Sequence, residues 1–141
     1  MSTGAHPPID QQITFLYAED PAATWDFYER TLGLELALDQ GPCRIYRTAP
    51  NGFVGVCGVR EGRESEPRGV VFTIVTPDVD GWYRKLTALG VTTEGPPEAS
   101  ETFRVYCFFA RDPNGYRIEF QRFLDDDWSG GKHAGMDSQA D

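Results

Sequence analysis

The chain of 141 residues sets 13 Lys and Arg against 22 Asp and Glu, a formal net charge of −9. Its content of 40% hydrophobic and 13% aromatic residues is enough for a packed core and unlike a disordered chain. The acidic balance excludes a nucleic-acid partner and an anionic membrane surface, which both need clustered Lys and Arg, and no apolar run approaches the ~20 residues of a membrane span.

Residues 1–10 are polar and lack the basic start and apolar middle of a signal peptide, so they are expected to be a flexible N-terminus. A first module spans 11–59, with a strand at 12–18, a helix at 21–32, and strands at 34–39, 43–48 and 53–59. Asp20-Pro21 supplies a cap followed by Pro at the first helical position. Trp25, Tyr28 and Leu32 recur at helical spacing, and Gly33 ends the helix. The charged stretch 60–69 reads as a surface linker. A second module spans 70–123, with a strand at 70–76, a helix at 79–89, and strands at 92–94, 103–110 and 116–123. Residues 124–141 hold five Asp and one Lys and read as a solvated acidic tail.

The two modules match at a constant offset of 57 through Ile13/Val70, Phe15/Phe72, Ala18/Val75, Trp25/Trp82, Leu32/Leu89 and Gly33/Gly90, which indicates an internal duplication. The turn Asn51-Gly52 matches Asn114-Gly115 at an offset of 63, which sets Val56 against Glu119. Asp112-Pro113-Asn114-Gly115 is a tight-turn sequence. It delivers a strand in which Tyr116, Ile118 and Phe120 alternate with Arg117, Glu119 and Gln121, so Glu119 faces away from the apolar row. The expected fold class is α+β: paired βαβββ modules in a curved mixed sheet with an open cleft, helices on the outer face. Cys43, Cys57 and Cys107 sit in strand-like runs without CxxC spacing and read as reduced, buried thiols of a cytoplasmic protein.

The chain resembles the vicinal oxygen chelate superfamily, which includes glyoxalase I, bleomycin-resistance proteins and extradiol dioxygenases. The carriers are Asp20-Pro21-Ala22-Ala23-Thr24-Trp25-Asp26-Phe27-Tyr28, then Leu32-Gly33-Leu34, and the closing Asp112-Pro113-Asn114-Gly115-Tyr116-Arg117-Ile118-Glu119, within residues 11–123. The resemblance implies a homodimer and, in the family's enzymes, one divalent metal held by two side chains from each module. Those positions fall on Ile13, Val56, Val70 and Glu119. Gln12 lies next to the first and would reach it through a bulge. Both histidines, His6 and His133, lie outside the matched region. Valine cannot coordinate a cation, and a catalytic site needs about three protein donors, so the reading favours no metal, with Gln12 and Glu119 as the candidate ligands otherwise.

Glu119 is read either as a polar cleft residue paired with Arg44, Arg104 or Arg117, or as a lone general base. Phe15, Tyr17, Tyr46, Phe72, Arg104, Tyr106, Arg117, Glu119 and Gln121 are the candidate ligand-binding residues, aromatics offering surface to a flat ligand and arginines a partner for an anion. Three functions remain: a metal-independent protein binding a small apolar or aromatic molecule, as bleomycin-resistance proteins do; a glyoxalase-type lyase, isomerase or dioxygenase; and an interaction module whose cleft is filled by side chains.

Overall fold

The computed structural model describes residues 5–125; residues 1–4 and 126–141, and with them His133 and most of the expected acidic tail, lie outside the described residues. The chain divides between Ser65 and Glu66 into two compact units, a break inside the 60–69 stretch. The first unit runs β1 (Gln12–Ala18), α1 (Pro21–Asp26), a π-helical turn (Phe27–Thr31), β2 (Glu35–Asp39), β3 (Cys43–Ala49) and β4 (Gly52–Gly58). The second runs from a 3₁₀ turn (Pro67–Gly69) through β5 (Val71–Val75), α2 (Val79–Ala88), β6 (Glu98–Ser100), β7 (Val105–Arg111) and β8 (Arg117–Phe123). Each is a βαβββ module with a four-stranded mixed sheet, in the orders β1-β4-β3-β2 and β5-β8-β7-β6. The first strand of each pairs parallel with the last, and the other pairs are antiparallel. Among the described residues no helix is long and apolar enough to cross a membrane.

The helices start where the caps dictate. Asp20 accepts from the Ala23 N–H, and Asp78 from the Gly81 N–H. Each helix covers one face of its own sheet. In the first module Leu16, Ala18, Val54 and Val56 are buried together with Tyr28 and Leu32. The Trp25 indole N–H, donating to the Val56 carbonyl at 2.7 Å, ties α1 to β4. In the second, Trp82 stacks on Phe120 with centroids 4.8 Å apart, and Tyr83 meets Phe108 edge-on at 5.3 Å.

The duplication is real, but its offset changes along the chain. The caps Asp20 and Asp78 lie 58 apart, and so do the buried pair Tyr28 and Leu86. The stops Gly33 (φ 79°) and Gly90 (φ 78°) lie 57 apart. The first helix absorbs the difference as one extra residue in its last turn. There the Leu32 N–H reaches the Phe27 carbonyl, five residues back, and the Leu34 N–H reaches Tyr28, six back; in the second module the Val91 N–H reaches Leu86, five back. This is a π-bulge. It corrects the expected uniform offset of 57: Phe15 matches Thr73, not Phe72, and Trp82 stands where Thr24 does.

Two strand boundaries also move. The strand expected at 92–94 is only an isolated bridge from Thr93 to Ala110. Gly95 at φ 117° and the two prolines after it turn the chain before β6 begins at Glu98. The strand expected from residue 103 begins at Val105, because Arg104 takes a positive φ of 56°.

Candidate functional site

Strand pairing decides which side chains share a face, because directly paired residues point the same way and neighbours alternate. In the second module Ile118 and Phe120 are fully buried under α2, so Arg117, Glu119 and Gln121 point to the other, open face. Their partners join them there: Val71, Thr73 and Val75 from β5, and Arg111, Phe109 and Cys107 from β7. This face forms a concavity of about 640 Å³, with Phe103, Phe109 and Phe123 as its aromatic walls and Glu119 among its few polar groups.

Glu119 accepts a hydrogen bond from Thr73 Oγ1 at 2.9 Å, and the Cys107 thiol lies near it on the same face. Burial first, and then the nearby carboxylate, pushes that thiol up to about 11, so Cys107 stays protonated and is no nucleophile. Arg117 is engaged elsewhere: its Nε and Nη2 each donate to Glu94 at 2.9 Å, and its guanidinium lies 4.1 Å from the centre of the Phe109 ring. Arg111 closes on the same carboxylate at 3.1 Å. The hydrogen bonds from Arg117 hold the Glu94 carboxyl below its usual range.

The first module treats the same face differently. Ile13, Phe15 and Tyr17 point into it from β1, opposite Phe53, Gly55 and Cys57 of β4. The Phe15 ring lies over Gly55, so close that a Cβ there would meet ring atoms at 2.5 Å and 2.6 Å. Beside it Cys43 and Cys57, paired across β3 and β4, form a disulfide; this corrects the expectation of reduced, separate thiols, and the reason is register, which sequence spacing did not reveal. A smaller concavity of about 270 Å³ remains beside Phe15, Tyr17 and the disulfide. At its rim Arg63 donates to the Tyr17 hydroxyl at 3.3 Å.

Five of the nine residues expected to line a cleft therefore point to an open face: Phe15 and Tyr17 in one module, Arg117, Glu119 and Gln121 in the other. Three others are on the helix side, a correction set by strand parity. Tyr46 is 0% exposed, stacks on Tyr28 and donates to Glu29 at 2.8 Å. Phe72 pairs with the buried Ile118. Tyr106 reaches Asp80 of α2 at 2.6 Å. Arg104 pairs with Asp125 at 3.1 Å, and Arg44 with Glu29, so the three arginines expected as partners of Glu119 are each bonded to another carboxylate. Sequence reasoning missed Thr73, Phe103, Cys107, Phe109 and Phe123. Phe109 and Cys107 carried a usable signal, since they alternate with the apolar row of their own strand.

The four positions carried over from the metal-binding pattern shift with register. Val56 faces the helix, and the residue facing outward in the place of Glu119 is Gly55. Val70 precedes β5, and its place passes to Val71. Gln12 shares a face with Thr14, to which it donates at 2.9 Å, and β1 pairs with β4 without a bulge, so Gln12 points away from the open face. The positions are then Ile13, Gly55, Val71 and Glu119, with one donor among them. Among the described residues no three His, Cys, Asp or Glu side chains gather into a ligand set.

Residues 11–120 match the family model described as Glyoxalase/Bleomycin resistance protein/Dioxygenase superfamily. The chain belongs to this superfamily. No curated protein matches it. Solved structures share the fold. A glyoxalase/bleomycin resistance protein/dioxygenase from Nocardioides superposes with a TM-score of 0.67 at 19% identity, over 93% of each chain. Lactoylglutathione lyase from Agrobacterium tumefaciens gives 0.67 at 22%, over 82% of this chain and 95% of its own. TioX from Micromonospora sp. ML1 gives 0.67 at 24%, over 81% and 98%.

Proposed function

We propose that this superfamily member is a metal-independent small-molecule-binding protein that takes an apolar or aromatic ligand on the open face of its second module. The observation that carries the reading is the concavity around Glu119, aromatic on its walls and about 640 Å³ in volume, a size typical of ligand sites. The donor set speaks against a metal enzyme. Ile13, Gly55 and Val71 offer no electron pair, and a single carboxylate falls short of the three or so protein donors of a catalytic site. Glu119 is then a hydrogen-bond acceptor for the ligand, held in place by Thr73. We assign the protein a homodimeric state, which the exposed Ile13, Leu38, Val71 and Val75 favour.

The test is a thermal-shift screen of aromatic metabolites and antibiotics, with elemental analysis of the purified protein and light scattering for the dimer. Binding that Glu119→Gln weakens, in protein free of stoichiometric metal, supports the proposal. Stoichiometric nickel, zinc, manganese or iron, with a chelator-sensitive activity, overturns it in favour of a glyoxalase-type enzyme. A chain that binds nothing in the screen is an interaction module.

A further inference from the structure

The open face of the second module presents a carboxylate that, among the described residues, has no uncommitted cation beside it. The side chain that donates to Glu119, Thr73, is neutral, and so is the nearby Cys107 thiol. A carboxylate has roughly four acceptor sites, so most of its capacity remains for a ligand. Among the described residues the other charged side chains on this face and its rim are Arg111, Arg117, Glu94 and Glu98, with the Arg104–Asp125 ion pair beside Phe103. Both guanidiniums close on Glu94, so three carboxylates face two arginines, a net negative charge, and Glu119 is a carboxylate with no arginine bonded to it. The aromatic walls add to this preference, because ring faces attract cations. Phe103 stands at the mouth, 76% exposed. It precedes Arg104, whose positive φ is held by a backbone bond to Ser100 at 2.8 Å and the ion pair with Asp125.

We propose that this face selects a flat organic cation, a ring bearing an ammonium or amidinium group, with Glu119 as its counter-ion and Phe103 stacking on the ring. The proposal rests on the reading of this face as a small-molecule site. Among the described residues an anion of the same shape meets only arginines already bonded to Glu94, and it is repelled by Glu119. The net charge of −9 steers cations toward the chain and anions away.

Three probes with one ring test this: tryptamine, the neutral 3-ethylindole, and indole-3-propionate, each titrated calorimetrically into the full chain at neutral pH and low salt. Tryptamine is expected to bind about tenfold or more tighter than 3-ethylindole, as a charge-assisted hydrogen bond implies, and indole-3-propionate weaker than both. Glu119→Gln is expected to bring tryptamine down to the level of 3-ethylindole measured on the same variant. Phe103→Ala is expected to weaken both. If the three probes bind equally, or the anion binds best, cation selectivity is wrong while the small-molecule site stands. A cation preference that survives Glu119→Gln also overturns it. If no probe binds or shifts the amide resonances of Thr73 and Glu119, the site itself is refuted, and the selectivity with it.

Discussion

Replacing Gly55 by Ala tests the closure of the first module's open face. The added Cβ would lie 2.5 Å and 2.6 Å from two carbons of the Phe15 ring, well inside the ~3.5–4.0 Å of a relaxed carbon contact. Phe15 is 42% exposed, so its ring is free to swing outward, and the backbone need not part. Overpacking of this kind costs about 1–3 kcal/mol. Stiffening the unfolded chain returns about 0.4–1 kcal/mol, which leaves a net loss of up to about 2.5 kcal/mol, centred near about 1 kcal/mol. In a Phe15→Ala background the obstructing ring is gone, and the nearest remaining neighbour, Cys43 Sγ at 3.5 Å, is an ordinary contact. There the same substitution should stabilise by about 0.4–1 kcal/mol. Urea unfolding of the four chains of this cycle, with midpoints compared at constant slope, reads the change of sign. An equal effect of Gly55→Ala in both backgrounds would refute the placement of Phe15 over Gly55.

Tyr46→Phe removes a hydroxyl that donates to Glu29 and should cost about 1.5–3 kcal/mol, the range for a bond to a charged group. Burial, and next Glu29, raises the Tyr46 phenol above 10.0, so its contribution is full below pH 10 and is lost as pH rises through the folded value; the fall in stability above pH 10 should be shallower in the variant. Asp112→Ala leaves the N–H groups of Asn114 and Tyr116 without their 2.9 Å partner in a buried turn and should cost at least about 2 kcal/mol, measured by chemical denaturation. Gly81→Ala sets a Cβ 2.2 Å from Asp78 Oδ2 and should lose about 1 kcal/mol by expelling the cap despite the better helix propensity of Ala; in an Asp78→Ala background it should stabilise instead.

Both modules, their order and the helix starts were legible because Asp20-Pro21, Asp78, Gly33 and Gly90 each act through local chemistry. What the sequence concealed was parity. Trp25 and Trp82 look like equivalents, yet counted from the caps Trp82 occupies the place of Thr24; the offset of 57 holds only after the one-residue π insertion at Phe27–Thr31, which leaves no mark in composition. The same slip recurs in the hairpins. The first bends through Pro50-Asn51 directly into Gly52, while the second needs the longer Asp112–Tyr116 turn, closed by Gly115 at φ 92°. A slip of one residue reverses every side chain in a strand, so Tyr46, Phe72 and Tyr106 were assigned to the cleft and Val56 to the metal position. Glu119 escaped because its own turn and alternation fixed its face without reference to the other module. The disulfide was hidden for a related reason: Cys43 and Cys57 oppose each other only once β3 and β4 are in register.

Gly55 beneath the Phe15 ring couples two positions on neighbouring strands. Any side chain larger than hydrogen at position 55 takes the space of that ring and must turn it outward. A carboxylate placed there would therefore arrive together with a displaced aromatic surface, so positions 15 and 55 act as one unit: what one strand gains in polarity, its neighbour returns as exposed ring.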